Sequence, residues 1–451
     1  SERRRGMKII STYGVKIKTY NHIFKETVEV YRHAADFLIQ VCLNEWEQIS
    51  PLKGQNRLTY VETLIHVTDR HPDVKYTEFD KQFYKPPSYL RRSAINEAIG
   101  KVSSYKSNLA NWENEDLKNR GRKPSFPKAG YIYPCMYRGN MYQRIGTYEA
   151  KIKVYIRNTW DWLTVKLRKS DVDYIEHRCT TRKKCAPTLQ KRGHEWHLDF
   201  PFMEEVELCN TDIQEQTIVA VDLGINTAAT VSVMRSDGTI LGRHFCKLSE
   251  ETDRLTHSVN RIKKAQQHGN RKIPRLWAKV KGINQDISVK TAEFIVDITV
   301  LYNADTIVFE HLNRKGKVHG SKKQRLKLWR SQEVQAMVTN KAHRLGMHIS
   351  RICTWGTSRF AYDGSGTVLR GSEADFPTYE LCRFQNGKVY NCDLSASYNI
   401  GARYFIREIL KSLDESSRLL MEAKVPSCSK RSTCTWSTLI NLNAELMSLA
   451  S

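Results

Sequence analysis

The sequence predicts an α/β protein built from several domains, and three observations lead to this fold class. The chain has 451 residues, which corresponds to about three domains at ~150 residues each. Hydrophobic residues make up 40% of the chain, enough to fill sizeable cores. Apolar residues recur first at helical spacing, then with period two, and then in short unbroken runs. These patterns predict helices, antiparallel strands and the buried strands of a parallel sheet, in that order.

The net charge of the chain indicates which kind of molecule the protein binds. Lys and Arg number 72 against 48 Asp and Glu, which gives a net charge of +24. Such an excess points to a polyanion, because clustered Lys and Arg release phosphate counterions on binding. No stretch reaches the ~18 apolar residues of a membrane helix, so we expect no membrane partner. The 11 cysteines include no Cys-x-x-Cys pair, which predicts reduced thiols in a cytoplasmic protein.

The first half of the chain is predicted to be an antiparallel β-barrel into which a helical domain is inserted. Residues 7–19 hold the first strand, residues 20–130 the helical domain, and residues 131–213 the remaining strands. The helical domain contains helices at about 20–47 and 89–112 and a basic loop at 118–128. In the strand region, Trp196 and Leu198 begin a set of apolar residues that alternate on one face.

From residue 214 onward the pattern is that of an α/β domain. The predicted elements are a strand at 217–222, a hairpin at 228–246, helices at 250–267 and 274–302, a strand at 304–310, a helix at 331–345, a strand at 347–354 and a helix at 393–413. This order of elements is typical of an RNase H-like nuclease core, divided here into 214–355 and 391–413. A Gly-rich insertion at 356–390 separates the two parts, and 414–451 carries no pattern that assigns it.

Three acids occupy special positions in this core. Asp222 and Glu310 end the two buried strands, and Asp393 begins the last helix. Each acid alone is more often a solvated residue or a helix cap, but together they are predicted to meet at one sheet edge. Like charges this close require cations, and oxygen-only ligation suits Mg²⁺ or Mn²⁺. We predict two such ions, which in phosphodiester cleavage stabilise the attacking water and the leaving oxygen.

The acid-bearing segments resemble the TnpB family of transposon-encoded nucleases and its relatives, the compact type V CRISPR effectors. The motifs that carry the resemblance are Val221-Asp222-Leu-Gly-Ile-Asn, Val308-Phe-Glu310-His-Leu, Cys392-Asp393-Leu-Ser-Ala-Ser, Trp355-Gly-Thr-Ser358 and Pro124-Ser-Phe-Pro127. The resemblance implies a RuvC nuclease domain whose metal ligands are the three acids, a wedge barrel and a helical recognition domain. It also implies cleavage of double-stranded DNA directed by a guide RNA, from a transposon end or a CRISPR array.

The insertion at 356–390 departs from the family pattern. The family carries two Cys-x-x-Cys pairs there that form a zinc ribbon, whereas Ala361 and Gly364 occupy the positions of the first pair. Zinc requires four nitrogen or sulfur ligands, and Cys353, Cys382 and Cys392 with a histidine are the remaining alternative set. We do not expect zinc, and we predict a small metal-free lid.

Basic residues away from the acids are predicted to contact nucleic acid. Residues 254–281 hold nine Lys or Arg, and residues 314–330 hold eight, with no acid in either run. A solvated helix face is the alternative interpretation of each run. The candidate contacts are Arg91, Arg92, Lys101, Lys106, Arg120, Arg122, Lys123, Arg261, Lys264, Arg271, Arg275, Lys322 and Arg325. Trp277 and Trp329 lie within the two runs and are assigned to core packing rather than to base stacking.

Two other functions remain open on the sequence alone. An RNA-guided binder that blocks transcription or recruits a transposase needs the basic surface but not the acids. An unguided RNase H-like nuclease needs the acids but no RNA. The presence of all three acids favours cleavage over the first alternative, and RNA that co-purifies with the protein would count against the second.

Overall fold

The computed structural model describes residues 6–19, 22–117, 120–137, 139–312 and 328–450. The chain divides into two compact units. The N-terminal unit is Ile10–Glu204, and the C-terminal unit holds the rest of the described chain. No helix in the described ranges is long and apolar enough to cross a membrane.

The helical part of the N-terminal unit contains five helices. They are α1 (Ile23–Asn44), α2 (Trp46–Ile49), α3 (Gln55–Ile65), α4 (Glu78–Gln82) and α5 (Ser88–Glu113). The two long helices confirm the predicted ones, and the apolar face of α1 that includes Tyr31 and Leu38 is buried. The short helices α3 and α4 were not predicted. The five residues of α4 are too few to display a periodic apolar face, whereas the buried Leu58, Val61 and Ile65 of α3 do recur at helical spacing.

Two antiparallel sheets complete the N-terminal unit. The first contains β1 (Met7–Lys16), β5 (Lys183–Lys184), β6 (Thr188–Arg192) and β7 (Glu195–Val206), and the second contains β2 (Tyr142–Arg144), β3 (Glu149–Ile156) and β4 (Thr159–Lys166). An isolated bridge between Ile17 and Leu167 connects them, and α6 (Lys169–Arg178) follows β4. Because β1 pairs with β7, helices α1–α5 are inserted in the chain between strands, as predicted. Closure into a barrel stays a prediction.

The C-terminal unit is built on a five-stranded mixed sheet. Its strands are β8 (Thr217–Asp222), β9 (Ala229–Arg235), β10 (Ile240–Cys246), β11 (Thr306–Glu310) and β12 (His348–Ile352). Their order is β10-β9-β8-β11-β12, with β8, β11 and β12 parallel and the hairpin antiparallel. All five strands lie within about two residues of their predicted positions.

Helices cover both faces of this sheet. The helices of this part are α7 (Ser249–Gln267), α8 (Pro274–Leu301), α9 (Ser331–Arg344) and α10 (Cys392–Ser412). Val219 and Val221 of β8 share one core with residues of α8 and α9, whereas Ile218 and Ala220 share the opposite core with α10. A Cβ atom at Gly401 would lie 3.2 Å from the Ala220 Cβ. The glycine therefore lets α10 lie close against the strand that ends in Asp222.

Two regions without a predicted structure are ordered around α10. The insertion forms a small antiparallel sheet of β13 (Leu369–Arg370), β14 (Leu381–Arg383) and β15 (Val389–Asn391). The C-terminal residues form α11 (Glu415–Lys424) and α12 (Trp436–Ala450). Met421, Leu439 and Leu442 of these helices are fully buried in the core that contains α10. The C-terminal segment is therefore part of this core.

Candidate active site

The sheet brings Asp222 and Glu310 to the same edge. In the parallel pair of β8 and β11, Val221 lies opposite Phe309, so the two acids follow on adjacent strands, whose spacing is ~4.8 Å. The chain turns sharply after Asp222. A Cβ atom at Gly224 would lie 2.6 Å from the carbonyl oxygen of Thr227, which excludes a side chain at this position.

Asp393 reaches the same edge from the face of the sheet. It lies in the first turn of α10, which contacts β8 and β11. The Asn391 side chain caps this helix by accepting a hydrogen bond from the Leu394 N–H at 2.9 Å. The N-terminal end of a helix favours negative charge, so this location suits a carboxylate.

The pKa values of the three carboxyls are all raised, and that of Asp222 reports its proximity to the other two acids. Burial raises the pKa of Asp222 well above its ordinary value, and the charges of Glu310 and Asp393 raise it further. Burial also raises the pKa values of Glu310 and Asp393. The Arg370 charge opposes the rise at Asp222 and at Asp393. The charges of both other acids therefore act on Asp222, and all three carboxyls favour the protonated form more than a free carboxyl does.

The donor chemistry of this group fits a hard divalent cation, but the side chains do not form a closed ligand set. Throughout the described ranges, no three His, Cys, Asp or Glu side chains are placed to hold a metal ion. The Glu310 carboxylate instead accepts a hydrogen bond from the hydroxyl of Thr357. Carboxylate oxygens are the ligands that Mg²⁺ and Mn²⁺ prefer, and a cation would stabilise the charged forms of these carboxyls, which burial disfavours at all three and the neighbouring acids disfavour at Asp222.

Three residues that support the acids were not identified as site residues from the sequence. Thr357 lies in the Trp355-Gly-Thr-Ser358 motif, but its hydrogen bond to Glu310 depends on the fold. Arg370 comes from β13 of the insertion, and no pattern in the sequence marks it. Arg403 is buried in α10, and its charge lowers the pKa of Glu310. Its signal in the sequence is a cation within an otherwise apolar helix face.

Asn399 and Arg403 connect the acid-bearing helix to two neighbouring segments. The Asn399 amide donates to the carbonyl oxygens of Thr357 and Phe360, both at 2.9 Å, and its oxygen accepts from the Trp436 N–H at 3.0 Å. The Arg403 guanidinium donates to four carbonyl oxygens, at Cys353, Trp355, Ser432 and Cys434, over 2.7–3.0 Å. Together they fix the loop that presents Thr357 to Glu310.

The predicted nucleic-acid contacts in the N-terminal unit differ in exposure. Arg91 is buried, and its guanidinium pairs with Glu62 at 2.9 Å. The prediction that Arg91 lies on the basic surface and contacts nucleic acid was therefore wrong about its exposure. Arg120 donates to the carbonyl oxygens of Glu113 and Glu115 at the end of α5 and lies over the Trp112 ring. The remaining candidates are Arg92, Lys101, Lys106, Arg122 and Lys123, which are exposed or half-buried.

The described candidates in the C-terminal unit lie on α7, on α8 and in the loop between these helices. All nine Lys and Arg of the 254–281 run are exposed, including Arg261, Lys264, Arg271 and Arg275. None of the nine forms an ion pair with any other described residue. Trp277 and Trp329 are half-buried against apolar clusters, as predicted. Lys322 and Arg325, with most of the 314–330 run, lie outside the described residues, as do Tyr20, Asn21, Lys118 and Asn119.

Comparison with known proteins identifies the class to which this fold belongs. Residues 201–316 match the OrfB_IS605 family model, described as "Probable transposase". A TnpB-like protein of Aquifex aeolicus (strain VF5), aq_aa05, is 25% identical over 234 residues, which are 47% of this chain and 74% of that protein. The fold is similar to Cas12f1 in its complex with sgRNA and target DNA, at a TM-score of 0.51 and 12% identity over 84% of this chain and 81% of that one. The predicted resemblance to TnpB-like proteins with a RuvC-type nuclease fold is thereby confirmed.

A second match, to the N-terminal part of the chain, shows the family to which the protein belongs. Residues 11–156 match the Aq_aa04 family model. The uncharacterized protein aq_aa04 of Aquifex aeolicus (strain VF5) is 32% identical over 131 residues, which are 29% of this chain and 69% of that protein. The chain belongs to the Aq_aa04 family.

Proposed function

We propose that this protein is an RNA-guided DNA endonuclease that hydrolyses phosphodiester bonds with divalent metal ions at the three acids. The observation that carries the proposal is that Asp222 and Glu310 end adjacent strands and that Asp393 begins the helix packed against them. Burial raises the pKa values of all three carboxyls, and the charges of the other two acids raise the pKa of Asp222 further. Bound there, two Mg²⁺ or Mn²⁺ ions supply charge stabilisation for an attacking water and a leaving oxygen. Thr357 orients the Glu310 carboxylate.

The domains take roles that follow from the resemblance to TnpB-like proteins. Residues 20–130 form the recognition domain, and residues 7–19 with 131–213 form the wedge. Residues 214–355 and 391–413 form the RuvC nuclease, with the 356–390 insertion as a lid. The exposed cations of α7 and α8 bind phosphates of the guide RNA or the target DNA, since base pairing reads sequence while protein contacts the backbone. The Cas12f1 complex with sgRNA and target DNA supports these partners.

The first test is cleavage by the protein purified with its co-expressed RNA. Sequencing of that RNA defines the guide, and a linear double-stranded DNA complementary to it is then incubated with Mg²⁺ or with EDTA. We expect cleavage in Mg²⁺ only. Asp222→Ala and Asp393→Asn should reduce cleavage by at least about 10³-fold and leave RNA and DNA binding intact.

A matched control removes an acid elsewhere in the same unit. Glu215 is exposed and lies outside the sheet edge, so Glu215→Gln should cleave like the wild type. Full cleavage by either acid variant would refute the assignment of the site. Guided binding without cleavage by the wild type would favour the non-cleaving binder, and cleavage without a discrete co-purified RNA would favour the unguided nuclease.

A further inference from the structure

A second charged site lies within the C-terminal unit, in a cavity of about 340 Å³ beside the end of β12. Its walls come from the end of β12, the second half of α10, helix α11 and the segment that precedes α12. Six cations line the cavity, and Glu422 is the one acid in its lining. The cations are Arg351, Arg403, Arg407, Lys411, Arg418 and Arg431. None of them belongs to the candidate contacts predicted from the sequence.

Most of these cations have no acidic partner. Arg407 and Lys411 share Glu408, at 2.7 and 3.1 Å. Arg351 donates to the neutral Gln335 side chain at 3.1 Å. For Arg351, Arg403, Arg418 and Arg431, the described chain supplies no ion pair. Like charges gathered around one cavity repel one another, and an anion in the cavity would reduce that repulsion.

Arg403 makes this imbalance costly. Its side chain is 4% exposed, and its hydrogen bonds go to four backbone carbonyl oxygens rather than to a carboxylate. The charge of Glu310 acts on Arg403, but no carboxylate of the described residues forms an ion pair with its guanidinium. A buried cation without an acid in contact costs free energy that a neutral residue would not. An anion in the adjacent cavity would offset that cost.

The apolar residues that line the cavity indicate which chemical group is attached to the anion. Ile352, Ile406 and Leu410 contribute apolar surface to the same cavity. The volume lies at the lower end of the ~300–1,000 Å³ typical of small-ligand sites, which is too small for a duplex. A cationic wall beside an apolar wall suits a group that is charged at one end and apolar at the other.

We propose that this cavity binds one phosphate-bearing nucleotide of a single-stranded nucleic acid. The phosphate contacts the unpaired arginines, and the sugar and base contact the apolar wall. The proposal deepens the proposed function and rests on it for the kind of ligand. RNA and single-stranded DNA share this chemistry, and the experiment distinguishes the two.

Cys353 provides a direct probe of occupancy. It lines the cavity and is the one exposed cysteine among the 11 of the chain. Its alkylation by iodoacetamide is followed by peptide mass spectrometry in the Asp222→Ala protein, freed of co-purified RNA, so that no strand is cut. We expect an RNA or a single-stranded DNA of equal sequence to slow alkylation at least about fivefold, and the more effective strand identifies the source. Slowing by neither strand would overturn the proposal.

Charge variants separate binding in the cavity from binding elsewhere. Arg418 and Arg431 are exposed, so Arg418→Gln with Arg431→Gln should preserve the fold. We expect this double variant to bind the protecting strand about tenfold more weakly, with a slope of log affinity against log salt smaller by about 1–2. Glu422→Gln removes the acid in the cavity and should tighten binding instead.

The matched control removes two cations of the same region that do not line the cavity. Lys424 pairs with Glu445 at 2.9 Å, and Lys430 is exposed. Lys424→Gln with Lys430→Gln should retain protection of Cys353. Equal losses in the two double variants would contradict the site. Because Cys353 labelling requires no cleavage, loss of nuclease activity in the wild type would refute the proposed function without changing this result.

Discussion

Two sets of charges, one in each unit of the chain, differ in whether the fold neutralises them. In the N-terminal unit, three arginines are neutralised by acids of the same unit: Arg91 and Arg92 share Glu62, and Arg192 pairs with Asp199 at 2.6 Å. In the C-terminal unit, the carboxyls of the sheet edge carry raised pKa values, and the nine cations of the 254–281 run are exposed without ion pairs in the described chain. The ion pairs of the first set contribute to stability, whereas the charges of the second set are available for ions and phosphates from solution.

The largest expected effect tests the neutralised charges. Arg91→Met should lower the free energy of unfolding by about 1.5–3 kcal/mol, because Glu62 loses its buried hydrogen-bonded partner and keeps only the exposed Arg92. Arg92→Met is the matched control: Arg92 contacts the same carboxylate from an exposed position, so its loss should cost at most about 1 kcal/mol. Urea denaturation measures both. Unchanged stability in Arg91→Met together with weaker DNA binding would restore Arg91 as a nucleic-acid contact.

The next effect tests the exposed charges of α7, α8 and the loop between them. Replacement of Arg261, Lys264, Arg271 and Arg275 by Gln should weaken nucleic-acid binding on the order of 10²-fold at 0.1 M salt and reduce the salt slope by about 3–4. The free energy of unfolding should change by about 0.5 kcal/mol or less. Filter binding over a salt series measures the affinity.

Its control removes four cations that already have acidic partners. Lys25, Lys290, Lys341 and Lys424 each form an ion pair, and their replacement by Gln changes the net charge equally. We expect a much smaller loss of affinity. An equal loss would mean that net charge alone determines binding, and the comparison of the two units would fail.

A third prediction concerns the carboxyls. A cation that binds the folded acids stabilises the fold by mass action, by about 2.7 kcal/mol when Mg²⁺ is present at 100 times its Kd. Thermal unfolding of the wild type and of Glu215→Gln should shift upward with Mg²⁺, whereas Asp222→Asn should not shift. An equal upward shift in Asp222→Asn would place the bound ion somewhere else.

The smallest effect is a dependence of stability on pH in EDTA. Because the folded-state pKa of Asp222 is raised, the folded protein binds more protons than the unfolded chain between the ordinary pKa of ~3.9 and the raised one. The wild type therefore loses stability as pH rises through that window. Asp222→Asn lacks this loss, so it should be the more stable protein at pH 8, and the advantage should disappear near pH 4. Urea denaturation midpoints of the two proteins that differ by the same amount at every pH would show that ionisation of Asp222 does not lower the stability of the fold.

Much of the C-terminal fold was predictable because its signals are local. The buried strands that end in Asp222 and Glu310, and the helix that begins at Cys392, all show in the apolar pattern of single segments. The basic faces were less predictable. Arg91 and Arg92 are neighbours on α5 with the same side-chain chemistry, and the acid that separates their roles, Glu62, lies on α3.

The C-terminal helices are a second example of structure that the sequence pattern did not reveal. α11 and α12 escaped prediction, yet Leu439 and Leu442 are buried against α10. Hydrogen bonds also hold this segment against α10: Arg403 donates to Ser432 and Cys434, and Asn399 accepts from Trp436. These partners lie 29–37 positions further along the chain. Such pairings have no fixed spacing in sequence, so periodicity cannot reveal them.

By itself the sequence determined the order of the elements, the excess of positive charge and the three acids at the ends of their elements, because hydrophobic periodicity and charge are properties of short segments. The tertiary structure decided which charges are neutralised and which remain open: Glu62 beside Arg91, Thr357 beside Glu310, and the cations gathered around the cavity near β12. The physical reason is that the free energy of a charge depends on its partners and its burial, and both are set by residues distant in the chain.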